Sequence, residues 1–115
     1  MDLEIAMDDG RIAAINCTGH ITRDWADDPL EKLLGPQCYS RMVMLNLKRA
    51  RFIDSSGIGW LVVSHRRFET AGGKMVLHSA PTLVTQALHF VQSHAFLTIV
   101  SCEEDARGLL MQFMR

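Results

Sequence analysis

Alternating apolar and polar residues at the start of the chain predict a half-buried β-strand. Leu3, Ile5 and Met7 point to one side, and the residues between them are acidic or small. Residues 8–10, Asp-Asp-Gly, then predict a tight turn, in which the glycine can adopt a positive φ without steric strain. Residues 11–18 form a second strand. The chain is therefore expected to open with a β-hairpin.

The next part of the chain predicts a helix, a buried strand and a second helix. Asp28 followed by Pro29 is typical of an N-cap and first turn, and Gly35-Pro36 ends this helix; whether it begins nearer Thr22 stays open. Residues 42–47 are almost continuously apolar, as in a strand covered on both faces. After a short loop, a helix is predicted over 55–71, where Gly72-Gly73 stops it.

The last third repeats the alternation of strand and helix. Residues 74–78 and 97–100 are predicted strands, and a helix opened by Pro81 lies between them. Its apolar stripe consists of Val84, Ala87, Leu88 and Val91. Ser101 and Glu104 have the spacing of a capping box for a final helix, whose inner stripe is Ala106, Leu109, Leu110 and Phe113.

The order of elements, β-β-α-β-α-β-α-β-α, predicts an α/β fold. Helices between strands favour parallel crossovers, and the opening hairpin makes the sheet mixed. We expect about five strands packed with about four helices. With 115 residues, the chain is interpreted as a single domain over residues 1–115.

Composition excludes several classes of protein. An apolar fraction of 48% fits a folded core, and a net charge of −1 gives no reason to expect nucleic acid or an anionic membrane as the main partner. The acidic start lacks the features of a signal peptide, and no apolar run could span a bilayer, so a cytoplasmic protein is expected. Three scattered cysteines and five histidines form no ligand motif, so neither a metal nor another cofactor is predicted.

The segment whose side chains could carry a chemical function is Asp54-Ser55-Ser56-Gly57, at the junction of the buried strand and the second helix. Open α/β sheets place their sites at the carboxyl ends of strands, and the first N–H groups of a helix are unpaired. Taken alone, the tetrapeptide is more often an ordinary N-cap. It lies in no Gly-x-Ser-x-Gly or phosphate-loop motif, so the protein is predicted not to be an enzyme.

The surroundings of this tetrapeptide resemble the STAS family, over nearly the whole chain. The residues that carry the resemblance are 44–47, 52–59, 72–77, Ala80-Pro81, Phe96-Leu97 and the acidic run 103–105. The resemblance implies an anti-sigma-factor antagonist. Such a domain binds an anti-sigma factor that is also a serine kinase, is released when the serine after the aspartate is phosphorylated, and is reset by a serine phosphatase. The acceptor here is Ser55, and Asp54, Ser56 and Gly57 complete the motif. The alternative is a STAS scaffold that is never phosphorylated, in a transport or sensory complex.

The helix after the motif contributes a second prediction. On a helical wheel, Ile58, Leu61, Val62 and His65 share the face that should point to the core. Trp60, Val63 and Arg67 lie on the opposite face, and Trp and Arg are favoured in protein interfaces. We therefore predict that these three residues form a partner-binding surface. The alternative is that another element covers Trp60. A monomer and a weak dimer both fit the sequence.

Lys48, Arg49 and Arg51 crowd the predicted loop before Asp54. The simpler interpretation is a solvated loop. The functional interpretation is that these charges attract an acidic partner or nucleotide phosphates by electrostatic steering. Three charges without interleaved aromatic residues are too few for a typical nucleic-acid-binding surface, so direct contact with nucleic acid is not predicted.

Overall fold

The computed structural model describes residues 1–90 and 96–114. The strands are β1 (Asp2–Asp8), β2 (Ile12–Ile21), β3 (Met42–Ile53), β4 (Lys74–His78) and β5 (Ile99–Val100). The helices are α1 (Pro29–Leu34), α2 (Ser55–Ala71), α3 (Thr82–Phe90) and α4 (Glu103–Phe113), with a short 3-10 helix at Cys38–Ser40. The predicted bounds of α2 and β4 are confirmed.

The strands form one sheet in the order β1-β2-β3-β4-β5. Strand β1 is antiparallel to β2, and every later pairing is parallel. Gly10 makes the predicted hairpin turn with a φ of 86°. The predicted α/β fold, a mixed sheet opened by an antiparallel hairpin, is therefore confirmed.

Helices cover both faces of this sheet. Leu45 of β3 packs in the larger core with residues of α1, α2 and α3, among them Phe68. Met44, the residue before Leu45, points to the other face and packs with Leu110 of α4. Burial of successive side chains on opposite faces is why β3 begins with a continuous apolar run.

Helix α1 begins at Pro29, and the question left open by the sequence is thereby answered. The Oδ1 atom of Asp28 accepts a hydrogen bond of 2.9 Å from the backbone N–H of Leu30, as the predicted N-cap should. Residues 22–27 are not helical. Together with the N-cap residue Asp28 they form an irregular segment, residues 22–28, which runs from the end of β2 to α1 beside α2.

Strand β1 is less buried than its alternating sequence predicted. Leu3 is half-buried, but Ile5 and Met7 are 44% and 60% exposed, so the prediction of a buried face with all three residues is wrong. A register shift between Ile5 and Met7 interrupts the alternation. Because β1 is the edge strand, the core reaches only its first residues.

Strand β3 continues through the stretch that was predicted to be a loop. Its second half, residues 48–53, pairs with β2, so Lys48, Arg49 and Arg51 lie on a strand. Two register shifts fall in this stretch, and the buried residues become Leu47, Ala50 and Ile53, three apart. The period of two that identifies a strand is thereby lost.

Helix α4 starts without the predicted capping box. Its N-cap is Cys102 rather than Ser101, and no side chain makes a capping hydrogen bond there. Three acidic residues in the first turn interact favourably with the helix dipole instead. Ala106 and Leu110 are buried, Leu109 is half-buried, and Phe113 is 51% exposed, so the predicted inner stripe is too wide.

The other two predicted elements of the last third are shorter in the structure. Strand β5 covers only Ile99–Val100 of the predicted 97–100. In α3, Val84 and Leu88 are buried as predicted. The predicted contribution of Val91 lies outside the described residues.

Two buried histidines make the stability of the protein depend on pH. His78 is 1% exposed and His65 is 8% exposed, and this burial lowers the pKa of each imidazole below its ordinary value of 6.5. The unfolded chain therefore takes up protons at a higher pH than the folded protein does. The contribution of the two neutral imidazoles to stability is fully present about one pH unit above 6.5 and is lost as the pH falls through and below that value.

We expect the free energy of unfolding, measured by urea denaturation, to decrease between about pH 7.5 and about pH 5.5. The variant His78→Gln should show a shallower decrease, since one of the two groups no longer titrates. A slope that is the same with and without His78 would contradict its role.

Candidate functional site

The junction between β3 and α2 is organised around the side chain of Asp54. This residue is the N-cap of α2, and its Oδ1 atom accepts hydrogen bonds from the Gly57 N–H at 2.8 Å and from the Ser56 hydroxyl at 2.6 Å. These hydrogen bonds, the Ser56 one foremost, lower the pKa of Asp54 below its ordinary range. The N-cap role recognised in the sequence is therefore observed.

Ser55 is the first residue of α2 and is exposed. Within the described part of the chain, its hydroxyl takes part in none of the hydrogen bonds that organise the motif. The two serines of the motif thus differ, because Ser56 is held by Asp54 and the Ser55 hydroxyl is open to a reagent or a partner. The backbone N–H groups of the first turn of α2 surround this position with a positive potential.

Ser56 connects the motif to the irregular segment 22–28. Its hydroxyl oxygen accepts a hydrogen bond of 2.9 Å from the backbone N–H of Arg23. Nearby, the backbone N–H of Asp54 donates to the carbonyl oxygen of Ile21 at 3.3 Å. The end of β2 and the start of α2 are therefore tied together.

Gly57 is required by the same close approach. A Cβ atom at this position would lie 2.0 Å from the carbonyl oxygen of Ile21, which is backbone and cannot move aside easily. Gly59 has open space around its Cα. The glycine of the motif is therefore structural, since it lets the first turn of α2 pass against β2.

A groove of about 500 Å³ lies between segment 22–28 and α2, directly beside the motif. Its walls combine two tryptophans with two arginines, and Ser56 of the motif also lines it. The lining residues are Arg23, Trp25, Ala26, Asp28, Ser56, Gly59, Trp60, Val63 and Arg67. All three residues of the predicted partner-binding surface line this groove.

Trp60 lies deeper than predicted. Only 4% of it is exposed, because the Trp25 ring packs edge-on against it with 5.9 Å between ring centroids. The predicted exposure of Trp60 is therefore wrong, and the alternative that another element covers it is correct. His65 of the same helix does point inward, with its Nε2 atom 3.1 Å from Glu69 Oε1.

Trp25 is the site residue that sequence reasoning missed. The guanidinium carbon of Arg23 lies 5.2 Å from its ring centroid, and its Nε1 atom donates a 3.0 Å hydrogen bond to the carbonyl oxygen of Thr22. The available signal was a large aromatic residue in a segment with no helix or strand pattern. Such a residue needs a partner to cover it, and here that partner is Trp60.

Val63 and Arg67 lie on the outer side of α2, as predicted. Val63 is 55% exposed. Arg67 is half-exposed and contacts the N-cap of α1 and the 3-10 helix, since its Nη1 atom is 3.0 Å from Asp28 Oδ2 and its guanidinium carbon is 4.6 Å from the centre of the Tyr39 ring. The Tyr39 hydroxyl also donates to Asp28. Burial and this carboxylate raise the pKa of Tyr39.

The carboxylate of Asp28 therefore makes three contacts, with the Leu30 N–H, the Tyr39 hydroxyl and the Arg67 guanidinium. We expect Asp28→Ala to lower the free energy of unfolding by about 1–3 kcal/mol, because the N-cap is lost and Tyr39 and Arg67 lose their acceptor. Denaturant unfolding measures this change. The matched control is Asp27→Ala at the exposed neighbouring position, which should shift stability by less than about 0.5 kcal/mol. Equal effects of the two variants would contradict the assigned role.

The described ranges, residues 1–90 and 96–114, contain neither a cluster of metal ligands nor a membrane-spanning helix. There, no three His, Cys, Asp or Glu side chains are grouped as metal ligands. None of the helices seen in those ranges has the length and apolar content that a bilayer crossing needs.

Comparison with known proteins gives one family and a set of similar folds. A family model described as the STAS domain matches residues 8–106. A search of curated protein sequences finds no match to this chain. The similar folds come from solved structures of low sequence identity.

The first of these is the unphosphorylated anti-sigma factor antagonist SpoIIAA, with 18% identity, a TM-score of 0.69, and 96% of this chain and 97% of that chain covered. A putative anti-sigma factor antagonist from Thermotoga maritima has 15% identity and a TM-score of 0.76, with 96% and 93% covered. The STAS domain of a SulP transporter from Vibrio cholerae has 16% identity and a TM-score of 0.53, with 94% and 88% covered.

Proposed function

Because this chain belongs to the STAS domain family, we propose that it is an anti-sigma-factor antagonist that a kinase-type anti-sigma factor switches off by phosphorylating Ser55. The observation that carries this proposal is the contrast between the two serines of the motif. Ser56 is fixed by Asp54, whereas the exposed Ser55 hydroxyl is left outside the hydrogen bonds of the motif. An acceptor must be reachable without unfolding the helix that presents it.

The local electrostatics support a switch that works at an interface rather than by refolding. A phosphate on Ser55 adds a charge of about −1.5 to −2. The helix dipole favours this charge, whereas the Asp54 carboxylate beside it repels it. The first turn of α2 therefore stays formed. A bulky, charged group on a surface that needs close fit then weakens binding, and a coupling of about 1–3 kcal/mol changes affinity roughly five- to 150-fold.

The groove beside the motif supports the position of the partner-binding surface. Val63 offers an exposed apolar contact, and Arg67 offers a half-exposed cation, both within the same groove as Ser56. Trp60 contributes by supporting the floor of the groove from below. The phosphate acceptor and the binding surface are therefore adjacent on α2.

The proposed partners are an anti-sigma factor with serine kinase activity and a serine phosphatase that restores the active form. The protein itself is proposed to be a cytoplasmic binding protein without enzymatic activity, without a cofactor and without direct contact to nucleic acid. Several structural neighbours are described as anti-sigma factor antagonists, and SpoIIAA from Bacillus also has a structure in the phosphorylated form. These descriptions support the proposal by analogy of fold.

The test is phosphorylation by the kinase-type anti-sigma factors of the source organism in the presence of ATP. We expect mass spectrometry to find one phosphate on Ser55, and the phosphorylated protein to lose its affinity for the kinase. Ser55→Ala should abolish phosphate transfer and retain binding. The control Ser101→Ala, at another exposed serine, should behave like the unmodified chain.

The second candidate function is a STAS scaffold that is never phosphorylated. The similarity of fold to the STAS domain of a SulP transporter favours this alternative. Stable binding of a kinase-type anti-sigma factor without any phosphate transfer would overturn the switch and leave the scaffold.

A further inference from the structure

The second half of β3 presents an unusual number of exposed side chains. Between residues 46 and 49, β3 advances three residues while β2 advances two, from Asn16 to Thr18. From Ala50 to Phe52, β3 advances two residues while β2 advances one, from Gly19 to His20. We call each of these register shifts a bulge, because one extra residue of β3 stands opposite β2. An extra residue of this kind changes the direction of the side chains around it.

All the outward residues of this stretch are basic or aromatic. Lys48, Arg49 and Arg51 are exposed, and Phe52 is 50% exposed. The exposed His20 of β2 packs edge-on against Phe52, with 5.6 Å between ring centroids. We call these five side chains the basic ribbon.

Acidic groups do not neutralise the basic ribbon. In register, Asp2 of β1 pairs with Thr18 of β2, which pairs with Arg49, so this carboxylate lies two strands away. Among the described residues, no ion pair involves Lys48, Arg49 or Arg51. At the first bulge, a polar cavity of about 250 Å³ is lined by Asn16, Cys17, Asn46, Lys48 and Arg49.

We propose that the basic ribbon is a docking surface for an acidic segment of a partner protein. The three cations supply charge complementarity and fast association, and the half-exposed Phe52 ring supplies an apolar anchor. At the cavity, Asn46 Nδ2 donates to Asn16 Oδ1 at 3.3 Å and Asn46 Oδ1 accepts from the Lys48 N–H at 2.9 Å, so the remaining amide N–H groups, chiefly those of Asn16, are the ones that can donate to a carboxylate. This surface is separate from the groove along α2, and the inference does not depend on phosphorylation of Ser55.

A protein segment fits this surface better than nucleic acid does. From Lys48 to Phe52 the strand spans about 13 Å, which reaches only two or so phosphates. A single aromatic pair gives little room for successive stacked bases. The net charge of the chain is −1, so the rest of the surface would repel a long polyanion.

The experiment measures fluorescence anisotropy of a fluorescein-labelled peptide composed of glutamate and leucine, titrated with the full chain. We expect binding that weakens about tenfold or more as salt rises from about 50 mM to about 300 mM. The same peptide with lysine in place of glutamate should not bind. In ¹H–¹⁵N spectra, the perturbed amides should be those of residues 46–52 and 18–20.

Charge reversal provides the matched control. Lys48→Glu with Arg51→Glu should lower affinity about tenfold or more, whereas Arg11→Glu with Arg66→Glu changes net charge equally at exposed positions elsewhere and should leave affinity within about twofold. Phe52→Ala should weaken binding without changing its salt dependence. Circular dichroism confirms that each variant is folded.

Three results would overturn the inference. One is absence of binding by the acidic peptide at low salt. Another is an equal loss in both charge-reversal variants, which would show an effect of net charge alone. The third is tighter binding of single-stranded oligothymidylate than of the acidic peptide, which would make the ribbon a nucleic-acid surface.

Discussion

Gly57→Ala is expected to lower the free energy of unfolding by about 3 kcal/mol or more, the largest effect of any small substitution in the motif. The new Cβ would meet the carbonyl oxygen of Ile21 at 2.0 Å, and this oxygen accepts the hydrogen bond from the Asp54 N–H. Relief of the clash requires the first turn of α2 to move away from β2. Both the N-cap geometry and the position of Ser55 would then change.

Denaturant unfolding measures this loss, and the matched control is Gly59→Ala, two residues further along α2. Gly59 has open space around it, and alanine in a helix interior is more favourable than glycine by about 0.5–1 kcal/mol. The two substitutions are chemically identical and are expected to have opposite signs. A loss of less than about 1 kcal/mol for Gly57→Ala would show that α2 can shift freely.

Trp60→Ala is expected to lower the free energy of unfolding by about 3–5 kcal/mol. The side chain is 4% exposed and packs against Trp25, so its removal leaves a cavity under segment 22–28. The matched control is Val63→Ala one turn further along α2. Val63 is 55% exposed, and its truncation should change stability by less than about 0.5 kcal/mol.

The same pair of variants separates support of the groove from direct contact with a partner. Val63→Ala should weaken partner binding with little loss of stability, whereas Trp60→Ala should lose stability first. Denaturant unfolding and binding to the proposed anti-sigma-factor partner are measured on both proteins. If Trp60→Ala is as stable as Val63→Ala, then Trp60 is a surface residue and its assigned packing is wrong.

The elements with a regular period were predictable from the sequence. The bounds of α2 follow from Asp54 at its start and Gly72 after its end, and both signals act locally. Gly72 takes the left-handed conformation that a helix end favours, with a φ of 88°. The mixed sheet followed from the order of these elements. Local chemistry was therefore sufficient for the architecture.

The second half of β3 was not predictable, because the bulges change the spacing of its buried residues. Leu47, Ala50 and Ile53 are three apart, which matches neither the strand period of two nor the helical period of 3.6. The position of a bulge is set by pairing with β2, and this information lies in no short window of sequence. The basic residues between the buried positions then suggested a loop.

The depth of Trp60 was unpredictable for a related reason. A helical wheel gives the direction of a side chain from the helix axis, but it does not say which other segment lies there. Segment 22–28 has no periodic pattern, so neither its path nor its cover of Trp60 could be deduced. The N-cap role of Asp54 was recognised from the sequence, whereas the difference in hydrogen bonding between Ser55 and Ser56 depends on the path of segment 22–28 and could not be deduced.

The hydrogen bond between Ser56 and residue 23 has an evolutionary consequence. The Ser56 hydroxyl accepts from the backbone N–H, so the bond forms whatever side chain residue 23 carries, with proline excluded for want of an N–H. Arg23 can therefore mutate without loss of the connection between the motif and segment 22–28. A substitution of Arg23 would remove its contact with the Trp25 ring and change the chemistry of the groove lining, while the backbone connection to Ser56 is kept. The shape of the groove can therefore be inherited separately from the charge that it presents to a partner.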